Sequence, residues 1–126
     1  MRDSRFDHPA PEDQLTVDSR HVGGAVVVGV TGEIDIVTAP RLQEAVQDAL
    51  DRTGHLVVID LTGVSFMGST GLAVLAEGDA MARRTGKSLR IVFTRGNHAV
   101  HRTIELTGLD RMLAIYDRID AAVGSE

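Results

Sequence analysis

The sequence contains no cysteine among its 126 residues. Such a chain forms no disulfide bond, thiolate zinc site or iron–sulfur cluster, and it offers no cysteine nucleophile. Long apolar runs are also absent, because no stretch approaches the roughly 20 consecutive apolar residues that span a bilayer. The charged segment Met1 to Arg5 lacks the apolar region of a signal peptide. We therefore expect a cytoplasmic protein with no membrane partner.

Aromatic residues and positive charge are both scarce. Aromatic residues make up 3% of the chain, and 13 lysines and arginines against 18 aspartates and glutamates leave a net charge of -5 at pH 7. A nucleic-acid-binding protein needs a basic surface and aromatic stacking platforms. The composition therefore argues against direct nucleic-acid binding and favours another protein as the partner.

The chain does have enough apolar residues for one hydrophobic core. Hydrophobic residues account for 43% of the sequence and charged residues for 25%, which is typical of a globular protein. A length of 126 residues fits one domain, since chains use roughly 100–200 residues for each. Residues 1–14 hold two of the three prolines and show no apolar periodicity. We predict a flexible N-terminal arm over residues 1–14 and one domain over residues 15–124.

The first predicted elements are two strands joined by a tight turn. Apolar residues alternate in the segment from Leu15 to Val22, and the pair Gly23-Gly24 follows it. The next run, Ala25 to Val30, is almost wholly apolar, which predicts a strand buried on both faces and placed inside the sheet.

A helix and a third strand follow. Thr38 offers a hydroxyl for the helix N-cap, and Pro40 lies in the first turn, where its missing N–H costs nothing. Thr53-Gly54 is expected to end the helix, and His55 to Leu61 reads as a buried strand, so a βαβ crossover is predicted. The apolar stripe of the helix consists of Leu42, Ala45, Val46, Ala49 and Leu50.

The second half of the chain alternates between helices and strands. We predict a loop over residues 62–68, a helix from residue 69 to about residue 86, and strands over residues 88–93 and 112–116. Asn97 is expected to cap a third helix whose inner face carries Val100, Ile104 and Thr107, and Gly108 to stop it. A short helix closes the chain. The predicted fold is a single α/β domain in which about four helices pack on a mixed four- to five-stranded sheet that starts with a hairpin.

The start of the second helix carries the most informative chemistry. As an N-cap, Ser69 would lie where the N–H groups of Gly71 and Leu72 point outward, beside the positive end of the helix dipole. A phosphate bound or attached there would find oriented donors, and the small neighbours leave room for another molecule. Serine at a helix start is also common as a simple cap. A nucleotide-hydrolysing loop is disfavoured, because no Gly-Lys-[Ser/Thr] follows the glycines.

Three ordered segments resemble one family, the bacterial anti-sigma factor antagonists, whose domain also occurs as the STAS domain of sulfate transporters. The first is Gly32-Glu33-Ile34-Asp35, followed by Thr38-Ala39 and Leu42. The second runs from Asp60 through Phe66-Met67 to Ser69-Thr70-Gly71-Leu72 and is similar to the phosphorylation loop of the family. The third is Leu106-Thr107-Gly108-Leu109. The resemblance covers nearly all of the predicted domain and implies a STAS-like fold.

The resemblance implies a switch protein and no catalytic activity. Its expected partner is an anti-sigma factor of the histidine-kinase-like ATPase type, which releases a sigma factor when the antagonist binds. Ser69 matches the serine that this kinase phosphorylates, and Thr70 is a second, less exposed hydroxyl. A phosphatase that reverses the modification is a further expected partner. Most family members place an acidic residue before the serine, whereas this chain has Gly68.

Residues around this loop are the candidate partner contacts. We expect this surface to include Glu33, Asp35, Thr38, Met67, Gly68, Ser69, Thr70 and Val74. Val74 and Met81 would form an apolar centre if they are exposed beside Ser69, and otherwise belong to the edge of the core.

Other interpretations of the same residues stay open. Glu33 and Asp35 are two residues apart, as an acid and base pair would be, but no histidine or nucleophile lies near them in the sequence. His98 and His101 have a spacing compatible with two metal ligands, but a third ligand is missing, so no metal and no cofactor are expected. Two alternative functions are a module that binds an anionic small molecule or nucleotide at Ser69, and a scaffold subunit that is not phosphorylated.

Overall fold

The computed structural model describes residues 14–124, so residues 1–13 of the predicted arm lie outside the described part of the chain. Within that part, five strands form one sheet in the order β1-β2-β3-β4-β5, and four α-helices pack against it. The strands are β1 (Leu15–Val22), β2 (Ala25–Ile34), β3 (Leu56–Met67), β4 (Ser88–Val92) and β5 (Ala114–Tyr116). The helices are α1 (Ala39–Arg52), α2 (Ser69–Arg84), α3 (His98–Thr107) and α4 (Ile119–Gly124), with a 3₁₀ turn at Leu109–Arg111.

The sheet is mixed, as predicted. β1 and β2 form an antiparallel hairpin in which Val22 pairs with Ala25, and Gly23 takes the positive φ of 60° that the tight turn needs. The remaining neighbours are parallel, with Ala25 of β2 beside Leu56 of β3. The predicted fold class, hairpin and βαβ crossover are therefore confirmed.

Two apolar clusters lie on opposite faces of the sheet. The larger cluster joins α1, α2 and α3 to the strands, and its central residues include Leu42, Val57, Leu75 and Ile104. The smaller one joins Ala122 of α4 to Val27, Val58 and Val92. Adjacent residues of β3 enter opposite clusters because side chains alternate along a strand. The almost continuous apolar stretches of β2 and β3 follow from this burial on both faces.

The prediction of a loop over residues 62–68 is wrong, because β3 continues to Met67. The extension pairs with β2, which also continues beyond its predicted end, and Ile34 lies beside Met67 after two register shifts in the pairing. The polar residues Thr31 and Thr62 obscured this pairing in the sequence, since both are exposed and resemble loop residues. Both strands therefore deliver their final residues to the start of α2.

The two ends of α1 also differ from the expectation. Thr38 occupies the N-cap position, but its side chain makes no hydrogen bond to the first turn of the helix. At the other end, Thr53 is extended and its hydroxyl accepts hydrogen bonds from the N–H groups of His55 and Leu56. The turn into β3 is therefore stabilised by a threonine side chain and does not depend on a left-handed glycine.

The start and end of α3 agree with the prediction. Asn97 accepts a hydrogen bond from the N–H of Val100 at 3.3 Å, and Gly108 ends the helix with a φ of 76°. Val100 and Ile104 face the core, whereas Thr107, which was expected to do so, is exposed. Within the described residues, no helix is long and apolar enough to cross a bilayer.

Candidate functional site

Ser69 lies at the carboxyl end of β3, as the first residue of α2. The predicted N-cap assignment is wrong by one residue, because Gly68 occupies the cap position with an extended backbone (φ -91°, ψ -177°). The N–H groups of Gly71 and Leu72, which were expected to point outward, both interact with the carbonyl of Gly68, at 3.1 and 3.3 Å. Ser69 therefore does not cap the helix, and its side chain is exposed.

The start of α2 is tied to the end of β2. The N–H of Gly68 donates to the carbonyl of Ile34 at 3.0 Å. A Cβ atom on Gly71 would lie 2.7 Å from Cγ2 of Ile34 and 2.8 Å from Cγ of Met67. Real Cβ contacts are not this short, so the first turn of α2 packs this closely on β2 and β3 only with glycine at position 71.

Position 68 does not have this steric requirement. The φ of Gly68 is negative, and a Cβ atom there would meet the ring of Phe66 at 3.5 Å and the carbonyl oxygen of Ile34 at 3.8 Å, both ordinary contact distances. The acidic residue that the family resemblance associates with this position would therefore fit. Its absence removes a charge beside Ser69 without reflecting a steric need for glycine.

A compact polar turn connects β2 to α1 next to this helix start. Oδ1 of Asp35 accepts hydrogen bonds from the N–H groups of Val37 and Thr38, at 2.9 and 3.0 Å. The hydroxyl of Thr38 accepts from the N–H of Asp35 at 2.9 Å and donates to the carbonyl of Glu33 at 2.8 Å. Asp35 and Thr38 thus hold the turn together.

These hydrogen bonds also set the ionisation of Asp35. The backbone N–H of Thr38 makes the largest contribution and lowers the pKa of the Asp35 carboxyl, while partial desolvation acts in the opposite direction. The carboxylate is thereby engaged within its own turn. Its first role in this geometry is to shape the turn, while Glu33 beside it stays exposed.

Three exposed apolar side chains lie in the turn after β2 and at the end of β3, and none of them was among the predicted contact residues. Ile36 and Val37 are 76% and 55% exposed in the polar turn, and Phe66 is 49% exposed at the end of β3. We call these three residues the apolar rim. Phe66 pairs with Glu33 across the β2 and β3 ladder, and its ring lies beside Gly68. The sequence feature that could have identified the apolar rim is the pair Ile36-Val37. It lies between the polar residues Asp35 and Thr38, which favour a turn, and core residues are not expected in a turn.

Three of the eight candidate contact residues are buried. Thr38 is fully buried, Met67 is 3% exposed and Val74 is 8% exposed, so none of them presents a side chain to a partner in this structure. Val74 and Met81 pack with Val46 along a narrow groove between α1 and α2. They therefore belong to the core edge, and the conditional expectation of an apolar partner surface there is not met. The exposed or half-buried candidates are Glu33, Asp35, Gly68, Ser69 and Thr70.

Of the two histidines of α3, His98 is exposed and His101 is half-buried. His101 contacts Glu105 at 3.4 Å, and its ring lies 6.1 Å from that of Phe93. Among residues 14–124, no group of three or more histidine, aspartate and glutamate residues is arranged to hold a metal ion.

Comparison with known proteins identifies what the chain is similar to. The family model described as the STAS domain matches residues 16–122. The anti-sigma-F factor antagonist RsfB of Mycobacterium tuberculosis is 34% identical over 113 residues, which cover 89% of this chain and 90% of that protein. The anti-sigma-B factor antagonist of Listeria monocytogenes is 38% identical over 86 residues, covering 68% of this chain and 74% of that protein. The crystal structure of an anti-sigma factor antagonist from Mycobacterium paratuberculosis matches with a TM-score of 0.79 at 36% identity, covering 88% of this chain and 92% of that chain.

Proposed function

The chain belongs to the STAS domain family, among the anti-sigma factor antagonists, and on this basis we propose that it binds an anti-sigma factor through the surface around Ser69. The partner we expect is an anti-sigma factor of the histidine-kinase-like ATPase type, met in the cytoplasm. The observation that carries the proposal is the exposed Ser69 hydroxyl at the first position of α2, bordered by the apolar rim.

The apolar rim supplies the binding energy in this proposal. Ile36, Val37 and Phe66 are exposed, large apolar side chains of the turn after β2 and the end of β3, two segments that meet at the start of α2. Burial of apolar area contributes roughly 25 cal/mol per Å², and a few well-buried side chains usually dominate an interface. The hydrogen bonds of Asp35 and Thr38 hold Ile36 and Val37 in place before binding, which reduces the entropy lost on association.

Phosphorylation of Ser69 by the anti-sigma factor would reverse the binding. A phosphoserine carries about -1.5 to -2 charges at pH 7. The N-terminal end of a helix favours a nearby negative charge by about 0.3–1 kcal/mol, so the modification would leave the fold intact. Taking the same charge out of water at an apolar interface costs several kcal/mol, so the complex would dissociate. A phosphatase would then restore the binding form.

The test combines labelling with binding. The purified chain is incubated with candidate anti-sigma factors and Mg-ATP, and modification is followed by intact mass and peptide mapping. We expect one phosphate on Ser69, no labelling of Ser69→Ala, and loss of partner capture after labelling. Ser65→Ala is the matched control, because Ser65 is also exposed and lies four residues earlier on β3. Thr70→Val separates the two neighbouring hydroxyls and should leave labelling unchanged.

The apolar rim is tested separately from the phosphate. Ile36→Ala should weaken capture of the unmodified chain by tenfold or more, a typical result for an interface anchor. Leu106→Ala is the control, since Leu106 is 74% exposed against 76% for Ile36 but lies on α3. Equal effects of the two variants, or capture that persists after full modification of Ser69, would contradict the proposal.

A further inference from the structure

A cavity of about 450 Å³ opens at the carboxyl ends of β4 and β5, beneath α3. Its volume lies within the roughly 300–1,000 Å³ typical of small-molecule sites, and ligands of open α/β sheets commonly bind at this edge. The residues that line it are Phe93, Arg95, His101, Ile104, Glu105, Asp110, Ile115, Tyr116 and Asp117. Neither Ser69 nor the apolar rim lines this cavity.

The wall of the cavity that faces the core is apolar and well packed. Phe93 is 5% exposed and Ile104 is 1% exposed, and Ile115 packs against the same core cluster. The ring of His101 is tilted by 42° to that of Phe93. Such a wall suits an aliphatic or aromatic group of limited size.

The rim of the cavity carries charges of both signs. Arg95 follows β4, Asp117 follows β5, and Asp110 lies in the 3₁₀ turn between α3 and β5. Within residues 14–124, the side chains of these three residues form neither a salt bridge nor a hydrogen bond, with one another or with other groups. One guanidinium and two carboxylates therefore line the same cavity, and none of them is paired with another group of the described chain.

We propose that this cavity binds a small zwitterion of the α-amino acid class with an apolar side chain. The ligand carboxylate would bind Arg95, and the ammonium group would bind Asp117 and Asp110. The side chain would lie against Phe93 and Ile104. A phosphate or nucleotide fits less well, because Glu105, Asp110 and Asp117 place three carboxylates around one arginine and would repel a doubly charged anion. The proposal does not rest on phosphorylation of Ser69.

The first experiment compares four probes by NMR titration of the ¹⁵N-labelled chain and by calorimetry. The probes are L-phenylalanine, L-leucine, N-acetyl-L-phenylalanine, which lacks the ammonium group, and L-phenylalanine methyl ester, which lacks the carboxylate. We expect saturable shifts at residues around the cavity for both amino acids, and at least tenfold weaker binding of the two derivatives. Absence of saturable shifts up to about 10 mM, or equal affinity for all phenylalanine probes, would overturn the proposal.

Variants then assign each charge to one end of the ligand. Arg95→Gln should weaken L-phenylalanine binding about tenfold and remove its advantage over the methyl ester. Asp117→Asn should also weaken L-phenylalanine binding about tenfold, and it should remove the advantage of L-phenylalanine over the N-acetyl derivative. Arg102→Gln and Asp51→Asn are the matched controls, since both residues are exposed and neither lines the cavity. Controls that lose as much affinity as the cavity variants would show general electrostatics in place of a defined site.

Discussion

At the residue scale, the two glycines beside Ser69 have different roles although they are only three positions apart. Gly71 is buried where β2, β3 and α2 meet, and a methyl group there would collide with Ile34 and Met67. A methyl group at Gly68 would make only ordinary contacts, with the ring of Phe66 and the carbonyl oxygen of Ile34. Gly71 therefore supports the packing of α2 on the strands, whereas Gly68 leaves the approach to Ser69 uncovered.

This difference predicts opposite effects of substitution. Gly71→Ala should lower the free energy of unfolding by about 1–3 kcal/mol, because overpacking outweighs the better helix propensity of alanine. Gly68→Asp should leave stability unchanged or raise it by a few tenths of a kcal/mol, since aspartate is a favourable N-cap. Urea denaturation of the two variants beside the parent chain measures both effects. A Gly71→Ala variant as stable as the parent would contradict the close approach of α2.

The lowered pKa of Asp35 predicts an acid dependence of stability. A carboxyl whose pKa is lower in the folded state stabilises the fold fully above its ordinary pKa of 3.8, and this contribution is lost as the pH falls through the folded value. Asp35→Asn should therefore flatten the decrease in stability as the pH falls below about 5. The measurement is the urea midpoint against pH, with the exposed Asp51→Asn as the comparison. Parallel profiles for the parent chain and Asp35→Asn would refute this role of the carboxylate.

At the scale of elements, Asn97 joins α3 to the central strand. Its Oδ1 accepts from the N–H of Val100, while its Nδ2 donates to the carbonyls of Leu61 and Val64, at 3.3 and 2.8 Å. One side chain thus caps a helix and satisfies carbonyls of β3 next to the irregular part of the β2 and β3 pairing. The loop after β4 is thereby fixed to β3.

Substitution at Asn97 separates these two functions. Asn97→Ala should cost about 2–3 kcal/mol, which combines a lost cap with carbonyls that lose their donor. Asn97→Asp keeps an acceptor for the cap but has no amide donor, so it should retain only part of the stability. Thermal and urea unfolding of both variants test this order. An aspartate variant as stable as the parent would mean that the bonds to β3 contribute nothing measurable.

At the scale of the whole molecule, the residues proposed to bind a partner protein or a small ligand lie along one edge of the sheet. The turn after β2 presents Ile36 and Val37, and the end of β3 presents Ser69. The loops after β4 and β5 carry Arg95 and Asp117 at the cavity. Strands β2, β3, β4 and β5 are parallel, so their carboxyl ends meet at this edge. The helices and the two apolar clusters support the sheet from both faces. Partner binding and ligand binding are thereby proposed for different parts of the same sheet edge.

The sequence by itself determined the features that depend on local patterns. The Gly23-Gly24 turn, the stripe of α1, the cap at Asn97 and the stop at Gly108 each follow from the preferences of a few neighbouring residues. The exposure of Ser69 near a helix start also followed from small residues around it. These interactions span one or two turns of chain, so their periodicity and residue types are visible in the sequence.

Only the tertiary structure decided the features that depend on distant segments. The continuation of β3 to Met67 required the extended end of β2 as a partner, and that pairing moved the cap of α2 from Ser69 to Gly68. Packing between α1 and α2 buried Val74, while the turn built by Asp35 left Ile36 exposed. The cavity at Arg95 exists because β4, β5 and α3 converge there. Burial and pairing of this kind depend on which surfaces meet in space, and a pattern along the chain does not encode that directly.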